Sequence, residues 1–394
     1  MVVLLAPAIN AQQTFKIGHF QGNVGAQAGF EYTDNINNSP HKQSDLSLLV
    51  GPTFNGGITL PVHFGSNAGD EMTFNTGFSY QEKVSLTTNT ATQTFNSPLS
   101  VDLMIPGRFF EWKVAVGDTF SYENVNLDSA VLANEPQVST YNNVASINMD
   151  RSFGKSELGL GFERIDKISS AKTMSETDYQ FSVTPGWILR ENYKLFWANT
   201  YGLVFPESDN YTRQDVENYT SEIGVSGQIT PYFNGSISAG YGLSHLNEKA
   251  EPGTTNVLHS QWTGGPSASM TGSYTHPLKP NTTYSIGAYY SPGVTALLSS
   301  SSAQSVLGVT VSVAHRLTPN LTLAPTVQWT STSSIGGSNS GEKVDMISLG
   351  IGLNRQFTRH LSASIDYKYI DKASNLPLNT YDVSRITAQA TYTF

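Results

Sequence analysis

The stretch Tyr381–Phe394, YDVSRITAQATYTF, decides how the rest of the chain is read. From Ile386 onward one parity is apolar or aromatic: Ile386, Ala388, Ala390, Tyr392, Phe394. The other parity carries Arg385, Thr387, Gln389, Thr391 and Thr393. Side chains alternate between the two faces of a strand, so this spacing predicts a strand with one greasy and one wet face. It runs to its aromatic without the polar tail in which soluble domains commonly fray. The competing reading is the edge strand of a soluble sandwich.

The same rhythm extends backward through the chain. Leu361, Ala363, Ile365, Tyr367 and Tyr369 precede it, and before them Ile347, Leu349, Ile351 and Leu353. Comparable runs recur back to Phe20, Gly22, Val24, Ala26, Ala28, Phe30 and Tyr32. Two kinds of connection alternate between the runs. Short ones fall at Pro106-Gly107-Arg108, Arg151 to Ser156, Arg190-Glu191-Asn192, Thr230 to Asn234, HPLKPN, Thr318-Pro319-Asn320 and RQFTRH. Longer polar ones read DNINNSPHKQ, ENVNLDSAVLANEPQ, PESDNYTRQD, NEKAEPGTTN and SSIGGSNSG, and Gln81 to Phe95 reads as another. Sorting by length in alternation is the pattern of an up-and-down transmembrane barrel, with short periplasmic turns and longer outer loops; sandwich physics imposes no such order. The pairing predicts about 18 strands of about 10 residues, with connections averaging about 10. Between Asn55 and Asp70 the turn falls either at Asn55-Gly56-Gly57 or at Gly65 to Asp70. Aromatics near strand ends, among them Tyr122, Tyr141, Tyr179, Phe205 and Tyr219, read as interfacial girdles.

Composition agrees with an all-β membrane wall. Of 394 residues 13% are charged, and Gly 34, Tyr 19 and Phe 19 favour strands and turns over helices. A mean hydropathy of -0.24 is too polar for the usual helical membrane protein, but not for a barrel, in which half of each strand is polar. The net charge of -9 argues against a nucleic-acid partner. With no cysteine there is no disulfide framework and no thiolate metal or haem site. Residues 1–11 resemble the end of a signal peptide, with cleavage expected after Ala11 and without the basic region that normally opens one. Residues 12–394 form a single expected barrel domain.

If the apolar parity faces lipid, the wet parity lines the lumen. Its charged members are Glu31, Glu111, Lys113, Glu163, Glu222, Asp366, Lys368 and Arg385, which mix both signs and form no single-sign ladder. Asp118 falls on the apolar parity after Gly117, where a glycine bulge that turns it aside is the expected remedy. No catalytic constellation stands out: Ser244 and His245 are consecutive and therefore face opposite ways. Gly159-x-Gly161 and Gly350-x-Gly352 lie inside strands, so neither is a phosphate loop. The acidic loop Glu207, Asp209, Asp215, Glu217 reads as a solvated loop rather than a calcium site. No catalytic residue, cofactor or metal is expected.

Two resemblances add to this. The last strand looks like the terminal strand of an outer-membrane barrel, in which the aromatics at Tyr392 and Phe394 would help form the insertion signal for the barrel-assembly machinery. The hairpin Gly29-Phe30-Glu31-Tyr32-Thr33-Asp34-Asn35-Ile36, with Ser44-Asp45-Leu46 and Gly51-Pro52, resembles β-barrel porins of the outer membrane. Some of these are encoded with exopolysaccharide biosynthesis and export systems. The resemblance implies a bacterial outer-membrane channel for hydrophilic solutes. Separately, five lumen acids (Glu31, Glu111, Glu163, Glu222, Asp366) against three bases (Lys113, Lys368, Arg385) lead to an expected weak cation preference. The alternative is a structural or accessory barrel of an export assembly that conducts little. Expected partners are outer-membrane lipid and lipopolysaccharide, the assembly machinery, small hydrophilic solutes or polysaccharide, and possible further copies of the chain.

Overall fold

The computed structural model describes residues 15–36, 38, 40–62, 70–87, 91–105, 112–125, 138–169, 175–206, 214–250, 257–279, 281–295, 303–335, 341–376 and 379–394. Period-two alternation takes up nearly all of them as strands. In chain order these are β1 (Phe15–Ile17), β2 (Phe20–Thr33), β3 (Asp45–Val62), β4 (Asp70–Ser85), β5 (Ala91–Ile105), β6 (Trp112–Val125) and β7 (Val138–Phe153). Next come β8 (Ser156–Ser169), β9 (Glu176–Arg190), β10 (Tyr193–Pro206), β11 (Val216–Thr230), β12 (Phe233–Leu246), and the two-residue β13 (Lys249–Ala250) and β14 (Val257–Leu258). The last are β15 (Gln261–Thr275), β16 (Thr282–Thr295), β17 (Ala303–Thr318), β18 (Leu321–Ile335), β19 (Lys343–Gln356), β20 (Leu361–Ser374) and β21 (Tyr381–Thr393).

β2–β12 and β15–β21 make an 18-stranded antiparallel wall. It closes where β21 pairs with β2, from Gly25↔Thr393 to Thr33↔Arg385. β1 continues that seam, pairing Ile17↔Phe20 to Phe15↔Gly22 on the edge of β2 that β21 no longer reaches. Closure leaves no wall edge unpaired over the seam, as a barrel in lipid requires. One end of the wall carries tight turns: Gly154-Lys155, Glu191-Asn192, Pro231-Tyr232 and Pro319-Asn320. Gly154 sits at φ 70, a left-handed turn position that glycine adopts without strain. The other end carries the polar loops.

The wall strands are 13 to 18 residues long, longer than the sequence reading allowed. A 14-residue strand at ~3.3 Å per residue and ~40° tilt rises about 35 Å, beyond the ~25 Å apolar band. Strands therefore continue into polar segments that read as loops: β4 and β5 take up most of Gln81 to Phe95. β3 runs unbroken through Asn55-Gly56-Gly57, so the turn falls after Val62, and residues 63–69 lie outside the described set.

The apolar parity faces outward. Phe30, Ile223, Ile237 and Ile365 are each 55–60% exposed, which only a non-aqueous surround tolerates over a whole belt. Polar groups on this face satisfy one another, as lipid demands. The Trp197 indole N–H donates to Ser221 Oγ at 2.8 Å, and the Ser221 hydroxyl donates to Asn199 Oδ1 at 2.9 Å. Arg164 is paired with Asp166 at 2.9 Å and lies over the Tyr179 ring. Asp118 corrects the sequence reading. The registers Ser100↔Gly117, Leu99↔Asp118 and Asp118↔Ala145 run without a shift, so no bulge turns it aside. It stands on the outer face between Val116 and Phe120, because continuous pairing on both sides of β6 holds the parity.

Candidate functional site in the lumen

The wet parity lines the lumen, and its two halves differ. Toward the tight turns the lining of β2–β5, β12, β15, β17 and β20 is small and neutral, with Gln21, Asn23, Asn55, Asn75, Ser236, Ser269, Ser312 and Ser364, while β6–β10 carry Lys113, Asp150, Glu157 and Lys194 there. Toward the loops it is charged and largely buried. Glu31 meets Lys83 at 2.5 Å and Arg385 at 3.5 Å. Lys167 lies 2.8 Å from Glu176 and 3.2 Å from Asp178, all three with little exposure. Lys372 is fully buried over the Tyr381 ring, beside a packed group of Ile370, Tyr381, Val383 and Met346. The loop before β3 is tied down at the same end. The Asn35 amide donates to Asp382 O at 2.9 Å, and the Ser384 N–H donates to Asp34 Oδ1 at 2.6 Å. Lys42 bridges Asp34 and Asp382. The Asp382 carboxylate, with Asp34, holds the Lys42 ammonium above its ordinary lysine value.

The wall departs from a plain cylinder between β15 and β16. Their ladder runs only from Thr275↔Thr283 to Ala268↔Tyr290, whereas β15 stays paired with β12 up to Gln261↔Leu246. Beyond Ala268, β16 leaves the wall and lies against the lumenal face of β12 and β15. A Cβ placed on Gly242 would stand 3.2 Å from Pro292 Cγ, and one on Gly265 3.7 Å from Pro292 Cβ. Gly242 and Gly265 face each other in the ladder, so together they leave the depth that the incoming strand fills. Pro266 on the abandoned edge and Pro292 on the departing strand lack an N–H, so neither forfeits a ladder donor there. β17 and β18 follow through Thr295↔Ala303 and Ala303↔Ile335. Ile335 then packs on Val204, Val216 and Leu246 of β10–β12. The loop-end parts of β16–β18 thus lap inside β10–β15 and narrow the lumen. Sequence reasoning missed the lap; the paired signal was Gly264-Gly265-Pro266 and Ser291-Pro292-Gly293 inside strands.

The charged positions named from sequence are distributed as follows. Glu31, Asp366, Lys368 and Arg385 converge on one patch, through the pairs Lys368↔Arg385, Asp366↔Thr387 and Glu31↔Thr387. Glu222 accepts a hydrogen bond from the Ser238 hydroxyl at 2.6 Å. Glu163 stands on β8 opposite Gln180, and Lys113 is exposed near the turn end of β6. These last three lie apart from the patch. Glu111 lies outside the described residues, as do Glu207, Asp209 and the signal-like segment. Lys83, Lys167, Glu176 and Asp178 were missed because the strands were read too short; the same parity carried further would have found them. Tyr392 and Phe394 both face outward with ring centroids 5.2 Å apart.

His245 has a partner that sequence spacing could not supply. Its Nε2 is 2.9 Å from Ser260 Oγ, and its ring stacks on Trp262 at 4.3 Å. Among the described residues no carboxylate is hydrogen-bonded to the other ring nitrogen, so the pair lacks the orienting group of a hydrolytic triad.

No protein-family model matches the chain, and no curated protein does either. Among solved structures, the chain is similar to the outer membrane protein OpdK of Pseudomonas aeruginosa with vanillate, at 9% identity over 95% of this chain and 99% of that one, TM-score 0.49. It is similar to OccAB4 of Acinetobacter baumannii at 12% identity over 98% and 99%, TM-score 0.47. It is similar to OprD of Pseudomonas aeruginosa at 10% identity over 98% and 96%, TM-score 0.47. At these values the geometry has to carry the assignment. An even number of antiparallel strands, closed on itself, apolar outside and polar within, is a β-barrel of the bacterial outer membrane.

Proposed function

We propose that the protein is a passive channel for hydrophilic solutes, with the tight turns in the periplasm and the loops outside. The observation that carries this is the polar lumenal parity maintained around the wall, in a barrel whose strand number leaves room for water rather than a packed core. The loop-end lap and the buried ion pairs support a narrowest section near the outer face. Glu163 and Glu222 on the wall support a weak preference for cations. It fades with salt because charges act over only about 8 Å at physiological ionic strength. Planar bilayer recording tests the channel. Stable open steps are expected, and a correctly folded barrel that stays silent overturns the reading. Reversal potentials in a salt gradient test the preference, and anion selectivity at low salt contradicts it.

The lap itself favours a second reading, an accessory barrel of an envelope export assembly that conducts little. A silent barrel that co-purifies with an export partner is its signature. In either reading the outward Tyr392 and Phe394 meet the assembly machinery, and Arg164 and its girdle neighbours meet lipid and lipopolysaccharide.

A further inference from the structure

We propose that the turn-end wall of the lumen holds a binding site for a neutral, polyhydroxylated solute of sugar type. A recess of about 540 Å³ opens on the lumenal face of β2–β5 beside β1. Its floor is two cross-strand pairs, Asn55↔Gly77 and Gly57↔Asn75. Each asparagine has a glycine directly opposite, and its amide occupies the room a side chain would need there. A Cβ on Gly57 would stand 2.6 Å from Asn75 Oδ1, and one on Gly77 2.7 Å from Asn55 Oδ1. The amides lie across the sheet, which leaves a shallow floor that a sugar ring can approach.

The floor is backed by a rigid outer face. Phe20 and Phe54 stack at 6.5 Å and Phe54 and Phe78 at 5.7 Å, fixing β2, β3 and β4 against one another. At Pro98, which has no N–H to offer the ladder, the Ser97 hydroxyl donates to Gly77 O at 3.2 Å instead. Gln21, Asn23 and Ser100 complete the lining, with Lys16 at the rim.

The chemistry of these groups selects the ligand class. A primary amide offers a donor and an acceptor side by side, as does a pair of neighbouring hydroxyls, so each can satisfy the other. Among the described residues no carboxylate lines the recess, which disfavours a cation, and its basic groups, Lys16 of β1 and His19 of the turn after it, lie beside the floor rather than on it. The inference rests on the channel reading only for how solute reaches the site.

The experiment is saturation-transfer NMR of maltotriose with the refolded protein in detergent, with folding checked by heat-modifiable gel mobility. Transfer at about 10 mM maltotriose is expected, and roughly tenfold weaker binding in Asn55→Ala/Asn75→Ala, each amide giving up at least one hydrogen bond. Ser269→Ala/Ser312→Ala, elsewhere on the lumenal wall, should leave binding unchanged. If the asparagine pair does not refold, Gln21→Ser/Ser100→Ala should weaken binding in the same direction. No transfer with the parent protein, or equal transfer with the recess variants, overturns the site. Bilayer recording separates the two ideas: a barrel that conducts without binding maltotriose sinks the site alone. One that binds but stays silent sinks the channel alone.

Discussion

The two ends of the lumen are made by the same strands and differ in what those strands carry inward. At the turn end β2–β5 present asparagine, serine and glycine to water, backed by stacked phenylalanines on the outer face. At the loop end the same parity carries Glu31, Lys83, Lys167, Glu176, Asp178 and Arg385, partly out of water and ion-paired. There the wall is also doubled, with β16 against Gly242 and Gly265. A cylinder of fixed strand number has one width, so a difference in bore between its ends must come from side chains or from strands leaving the wall. At the loop end this barrel uses both. On the proposed channel and recess, the comparison would separate two roles: solute met at one end and passage limited at the other.

The largest expected effect comes from locking or freeing the lap. The chain has no cysteine, so Gly242→Cys with Pro292→Cys introduces the only thiols. Oxidised, this pair should hold β16 inward. Reduced, with a longer side chain wedged at a glycine position, it should conduct more. Bilayer conductance in the two redox states should differ by about twofold or more, since pore conductance follows the narrowest section. Equal conductance would place the constriction elsewhere and dissolve the contrast between the ends.

Stability should show the same asymmetry. Lys167→Met leaves Glu176 and Asp178 without their cation in a buried site, which is expected to destabilise the barrel by roughly 3–5 kcal/mol. Lys194→Met at the turn end breaks a half-exposed pair with Glu157, where less than about 1 kcal/mol is expected. Urea unfolding in lipid vesicles compares the two, and similar losses would mean that the ends share one environment.

Asp118 probes the outer face rather than the lumen. If it faces lipid between Val116 and Phe120, Asp118→Leu should stabilise the barrel by about 1–2 kcal/mol in the same assay. A loss of stability would show that Asp118 has a partner there, another copy of the chain being the simplest.

The smallest effect concerns the loop before β3. Lys42 has its ammonium held above the ordinary 10.5 by Asp382 and Asp34. A raised lysine contributes stability that is complete below its unfolded value and lost as pH rises through the folded one. The protection factors of the Asn35 and Ile36 amides should therefore hold through neutral pH and fall only in strongly alkaline solution, while Lys42→Met lowers them throughout. No difference between the parent and the variant would detach this loop from the loop-end closure.

Much of this molecule was decided by the sequence acting locally. Period-two alternation is a property of single strands, so Ile386, Ala388 and Ala390 already divide outside from inside before any partner strand is known. The sorting of short and long connections then fixes which strand ends lie together. Strand length was less legible, because a strand that rises beyond the apolar band loses its alternation while keeping its ladder, as Lys83 and Lys167 do. The lap, the ion pairs and the amide floor were settled only by tertiary structure. Whether Gly242 meets Gly265, Asn55 meets Gly77, or Lys167 meets Glu176 depends on register, which a strand cannot set alone. The unshifted register through Asp118 is of the same kind: pairing on both sides of β6 outweighed the local penalty of an acid facing outward. Parity is written in the chain, and the depth of the pore is written in how the strands are offset.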